Sequence, residues 1–323
     1  MTKPNDQTFE VEEHNPARVR WLRLALTIGI LGFAIHILLP QIGEVGDALQ
    51  ALRTGRWHYL GLAVIGSALT YMTGAWLVDA ATSLRLRYPR TVLEQLAASM
   101  MAVITPARLG WVAVTDSYLQ KAGADEHTAH TATTLTMIIT FASHIVLLVV
   151  LIPLLPTLRL PEITLPSTQV IVEVVVLALV VVGVVFWVPA SRRRILGDLA
   201  GMIRAVPAVL VDPRRSTVMV LAAVAGNLAF AIALIGAVAA YGPVPSPLGV
   251  LVAYMFAASI AALSPTPGGL GAMEAALVAA LTRLGIEPGS AVAAALTFRL
   301  VTFWLPLPLG AWALRRGRKN GWL

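Results

Sequence analysis

The chain has 323 residues, 57% of them hydrophobic and 13% charged, with a net charge of +7 and a mean hydropathy of +0.77. Soluble domains carry about 25% charged residues, so the composition excludes a predominantly soluble protein and predicts an integral membrane one. There is no cysteine, which excludes disulfides, thiolate metal sites and a thiol nucleophile.

The excess of basic residues reads as the loop charge of a polytopic protein, and no nucleic-acid partner is expected. In chain order, residues 1–17 are polar, with Glu10, Glu12 and Glu13 clustered, and are expected to form a disordered cytosolic tail. They do not read as a signal peptide, whose n-region would be basic and whose apolar run would end in a small-residue cleavage site. Residues 18–315 form one transmembrane domain, and 316–323 a basic cytosolic tail. Full spans need about 20 apolar residues, which predicts six, at about 21–40, 57–82, 127–155, 168–189, 216–241 and 290–313. Two further apolar segments, about 92–122 and 247–285, are broken at "ITPARLG" (104–110) and "SPTPGGLG" (264–271). Each predicts a re-entrant hairpin of two half-helices. Residues 192–212 read as an interfacial helix with arginines on its polar face.

The fold class is therefore an all-α polytopic membrane protein with about six spans and two re-entrant hairpins. With both termini inside, 18 of the 24 basic residues fall on the cytosolic side. Four fall outside (Arg53, Arg56, Arg159, Arg283), and Arg108 and Arg299 lie within the membrane. That bias sets the expected orientation. It makes the two hairpins enter from opposite sides. Their sequences echo each other, "TPARLG" at 105–110 against "TPGGLG" at 266–271, as inverted repeats over about 57–155 and 216–313 would.

Broken backbone at membrane depth is tolerated where protein buries it or where it lines a watery cavity. In transporters such breaks place half-helix N-termini near an anionic group. Pro267 suits the start of the outgoing half-helix, while Gly268, Gly269 and Gly271 let the chain turn. Pro106 and Gly110 serve the first hairpin likewise. An ionised group at this depth costs roughly 2.5–3.5 kcal/mol even on the lenient insertion scale. Glu274, expected two turns into its arm, Arg299 and Arg108 are thus either paired or part of a polar path. For Glu274 and Arg299 a salt bridge and a substrate role are compatible.

Other polar residues carry weaker signals. Asp79 and Asp116 read as interfacial. His127 and His130 lack a third convergent ligand and read as a solvated helix start, so no metal is expected. His36 and His144 are expected to hydrogen-bond within the bundle, and Asn227 to join helices. Trp57, Trp76, Trp187, Trp304 and Trp312 read as interface anchors. No P-loop, G-x-S-x-G, H-E-x-x-H or nucleotide fingerprint occurs, so no cofactor and no enzymatic activity are expected.

The segments "PTPGGLGAMEAALVAALTRLGI" and "AAALTFRLVTFWLPLPLGAW" resemble the flippase-like transmembrane domain of the lysylphosphatidylglycerol synthase family. There a P-G-G-L-G-x-x-E motif precedes a span with Arg in an R-L-x-T-x-W-L-P context. The resemblance implies roles for Pro267, Gly268, Gly269, Gly271, Glu274 and Arg299. The first half departs from the family's P-G-R-L-G followed by an acidic and a basic residue: Trp111 and Val112 stand there, and Asp116 alone supplies charge. Synthase members also carry a soluble aminoacyl-transfer domain, absent from these 323 residues, so this chain is not expected to make the lipid.

The function this implies is movement of an anionic or zwitterionic lipid, phospho- or aminoacyl-, between leaflets of the cell membrane. Membrane phospholipid is the expected partner, with a separate lipid synthase or a second copy as further ones. Two other readings fit: an accessory scaffold for an envelope lipid or glycan synthase, and a small-solute permease.

Overall fold

A computed structural model describes residues 55–105, 109–151, 212–264 and 266–323. The spans expected at 21–40 and 168–189, all but the last residue of the interfacial helix expected at 192–212, and Arg108 lie outside them. The described residues form nine α-helices with a 3-10 turn and a π turn, and no strand. They are α1 (His58–Ala81), α2 (Tyr88–Ile104), α3 (Leu109–Lys121), α4 (Glu126–Leu151), α5 (Pro213–Tyr241), α6 (Pro247–Leu263), α7 (Ala272–Arg283), α8 (Pro288–Arg299) and α9 (Pro306–Lys319). The 3-10 turn, Pro267–Gly269, precedes α7, and the π turn, Leu300–Trp304, joins α8 to α9.

Four helical stretches are long and apolar enough to cross a membrane: α1, α4, α5 and the composite Pro288–Lys319. They fall on four of the six expected spans. The other two expected features, the broken segments, are helix pairs: α2 packs against α3, and α6 against α7. At 12 residues, α7 is about 18 Å long at 1.5 Å per residue, well short of the roughly 30 Å hydrocarbon core.

Several starts are written in the sequence. Asp212, Ser246 and Glu287 each precede a proline at the first helical position and accept hydrogen bonds from backbone N–H groups of the first turn. Proline loses nothing there, because that N–H has no intrahelical partner anyway. The cap residue satisfies others that would be orphaned.

Two interior clusters hold the bundle. One joins α1, α2, α3, α4, α5 and α9 around Val78, Ala97, Leu119 and Met219. The other joins α5, α6, α7 and α8 around Leu234, Met255, Leu277 and Phe298. Helices α1 and α5 cross through small residues. A Cβ on Gly66 would strike the Ala233 backbone, and one on Gly236 would come to 2.5 Å of the Ala63 nitrogen. In lipid, where burial of apolar surface supplies little drive between helices, such close approach provides much of the attraction. The outward faces are apolar: Phe141, Val146 and Val149 on α4 and Leu221 on α5 are all more than half exposed, as lipid contact requires.

Candidate functional site

The second break is closed by its own hydrogen bonds. Thr266 Oγ1 donates to the Leu270 carbonyl at 2.9 Å, and the Thr266 carbonyl accepts from Gly269 N–H at 3.0 Å. Gly268, Gly269 and Gly271 have φ of +63°, +66° and +83°, values that side-chain-bearing residues rarely adopt. Space is short as well. A Cβ on Gly268 would run into the Phe303 ring, and one on Gly269 would lie 2.7 Å from the Ala261 Cβ on the incoming arm.

These dihedrals correct one expectation. Pro267 does not start the outgoing half-helix; it opens the 3-10 turn, and α7 begins at Ala272. Left-handed glycines cannot continue a right-handed helix. Glu274 is consequently the third residue of α7, within its first turn, and not two turns deep. From there its Oε2 accepts from Gly271 N–H at 2.7 Å, the reach-back that a glutamate at this position makes to the cap.

Its other oxygen holds the cation. Arg299 Nε donates to Glu274 Oε1 at 2.7 Å, and Nη2 donates to the Gly268 carbonyl at 3.1 Å. The guanidinium also lies over Phe303, 4.1 Å from the ring centroid. Both charged residues are 7% exposed. The turn, the first residues of α7 and the end of α8 are thus fastened into one charge-neutral unit. A salt bridge is one of the two compatible readings of this pair, and the structure contains it.

Just beyond Arg299 the last span is not the continuous helix that 290–313 implied. Pro306 has no N–H, and its ring would crowd the Thr302 carbonyl in a regular helix. The chain answers with a π turn: Leu305 N–H bonds to the Leu300 carbonyl at 2.8 Å, five residues back. That leaves the Val301 carbonyl without its α-helical partner, and Ser67 Oγ on α1 donates to it at 2.9 Å. Single π turns recur at functional sites. This one carries Phe303, which presses on both Gly268 and Arg299.

Elsewhere, His144 and Asn227 are joined: His144 Nδ1 lies 2.9 Å from Asn227 Oδ1, and Nε2 lies 3.1 Å from both the Met255 carbonyl and Ser259 Oγ. The contact ties α4, α5 and α6. Asp116 and His130, expected as separate solvated groups, instead meet at 3.0 Å between α3 and α4. Among the described residues no cluster of three His, Asp or Glu side chains fit for a metal occurs.

Sequence reasoning missed Glu94. It is fully buried on α2, accepting from Gln95 Nε2 at 2.7 Å and Thr115 Oγ1 at 2.8 Å. The first hairpin therefore holds a buried carboxylate after all, contributed by its first arm and tied to α3. Glu94 and Gln95 stand near the start of the apolar segment expected at 92–122, where no local pattern marks Glu94 as buried.

The second break also touches the first hairpin, since α2 packs on the 3-10 turn. No curated protein matches the chain. A model of the lysylphosphatidylglycerol synthase transmembrane region matches residues 20–310, a stretch that takes in both hairpins, the glycine turn and the Glu274–Arg299 pair, and the chain belongs to that family.

Proposed function

We propose that this multi-pass membrane protein moves an anionic or zwitterionic phospholipid, aminoacylated forms included, between the leaflets of the cell membrane. It does so without cofactor and without covalent chemistry. The observation that carries the reading is the buried Glu274–Arg299 pair set against a glycine turn, where an ionic group can be exchanged without exposing unpaired charge.

In this reading a lipid phosphate takes the place of the Glu274 carboxylate on Arg299 Nε. The Nη2 bond to Gly268 and the Phe303 ring keep the guanidinium in position. Glu274 retains Gly271 N–H and turns its freed oxygen toward the headgroup amine. Removing a buried charge's partner costs about 3–5 kcal/mol, so an incoming zwitterion that replaces both partners at once is strongly preferred to a lone ion. Arg108 is proposed as the phosphate-binding counterpart in the first hairpin. The two hairpins are read as halves of an inverted repeat, with both termini cytoplasmic. Since the family also includes lipid-making members, a separate synthase is the proposed supplier of substrate.

The test is reconstitution of the purified chain in vesicles carrying fluorescent lipids of different headgroups, followed by quenching from outside. The reading expects faster loss of signal than in protein-free vesicles, with a preference among headgroups. Equal rates with and without protein for every headgroup would favour the scaffold reading.

A further inference from the structure

Beyond the central pair, the helix that ends the chain carries a second arrangement of charge. One face of α9 is made of small residues, Gly310, Ala313 and Gly317, all buried. A Cβ on Gly310 would strike the Leu96 backbone of α2, so this face is sealed against the bundle. The opposite face presents Trp312, Arg315, Arg316 and Lys319, all exposed. Their spacing of three, four and seven puts them on one stripe of an α-helix.

This stripe is more than scattered loop charge. It lines a cleft of about 330 Å³ together with Asn320. The Arg316 guanidinium lies 5.4 Å from the Trp312 ring centroid, which holds the side chain back along the helix. Trp312 itself is half exposed, at 50%. An aromatic ring at the membrane–water boundary with cations one turn beyond matches the polarity profile of a bilayer surface, acyl chains below and phosphates above. The guanidinium planes suit bidentate phosphate contact.

We propose that the cleft of Trp312, Arg315, Arg316, Lys319 and Asn320 is a binding site for the headgroup phosphate of an anionic phospholipid. The site is separate from the Glu274–Arg299 pair and does not depend on lipid movement. Trp312 packs against the glycerol and upper acyl region, while the three cations surround the phosphate. Charge complementarity selects the occupant: three cations in one cleft, with no acidic residue lining it, favour a net-negative headgroup over a zwitterionic one.

The test uses the purified full chain in mixed micelles containing phosphatidylglycerol and phosphatidylcholine. Native mass spectrometry reads the number of lipids of each class retained. Phosphatidylglycerol is expected to be retained in preference. That preference should fall roughly fivefold for each cation replaced and be lost in Arg315→Gln/Arg316→Gln/Lys319→Gln. The three side chains are exposed, so the thermal midpoint should not change; if the triple variant does not fold, the three single variants carry the same test. Arg283→Gln, an exposed cation at the end of α7 and outside the cleft, should keep the preference, which separates this site from surface charge in general. Millimolar inorganic phosphate should not compete, and effective competition would mean a free-anion site and overturn the lipid assignment. So would wild-type retention in the triple variant or its singles, or equal retention of the two lipids by wild type.

Discussion

At the scale of single residues, the exposed helix caps give a clean pH signature. Glu287 accepts from Ser290 and Gly289 N–H groups, and those bonds hold its carboxyl below the ordinary glutamate value. Asp125 is held low in the same sense, first by the Thr128 hydroxyl and then by the Thr128 backbone. A depressed folded value means that the stabilisation is fully present above the unfolded value, about 4.5 for glutamate. It is lost as pH falls through the folded value. Thermal midpoints of wild type and Glu287→Ala, followed from pH 7 to pH 3, should therefore converge at the acid end; a constant gap would show that the cap works through shape and not charge. Much at this scale was legible in the sequence. The price of an intramembrane charge singled out Glu274 and Arg299, and the glycine run marked the turn. What was not legible was how far the glycines would delay the helix, because that depends on the left-handed dihedrals of Gly268, Gly269 and Gly271, which glycine permits but does not dictate. Glu94 escaped for a related reason. Its burial comes from α3 packing over it, which no local pattern announces.

At the scale of elements, the four spans among the described residues were legible because length and hydropathy are local quantities. Their starts could have been read more closely still, since Asp212-Pro213 and Glu287-Pro288 place α5 and α8 to the residue. The interruption of the last span had a signal too, the "LPLP" of 305–308, but its form, a π turn stabilised by Ser67 from a distant helix, is a tertiary outcome. The same holds for the His144–Asn227 junction, whose two residues lie 83 positions apart. The α1–α5 crossing gives the sharpest test of element packing. Gly66→Val forces a side chain into the α5 backbone, whereas Gly61, on the same helix, has open space around it. Gly66→Val should abolish folded yield or cost more than about 3 kcal/mol, and Gly61→Val should stay within about 1 kcal/mol of wild type. Comparable thermal shifts in the two variants, measured in the same detergent, would show that the crossing is not tight.

At the scale of the whole molecule, the proposed orientation rests on the distribution of basic residues, and the absence of native cysteine makes it directly measurable. Arg283→Cys sits at the end of α7 and Asn320→Cys just past α9, both exposed. With both termini cytosolic, the first should react with an impermeant maleimide in intact cells and the second only after permeabilisation. The reverse pattern would turn the protein over and overturn the proposed orientation. The Glu274–Arg299 unit is proposed to handle lipid as well as to hold the hairpin to the last span. Either Glu274→Gln or Arg299→Gln alone strands a buried charge and should lower thermal stability by about 3–5 kcal/mol. The double variant carries no lone charge and should recover part of that loss. Lipid movement in vesicles reconstituted with equal amounts of folded double variant and wild type is the deciding measurement. The double variant is expected to fold but no longer to accelerate lipid movement, and a double variant that moves lipid at the wild-type rate would leave the pair as a structural clasp only.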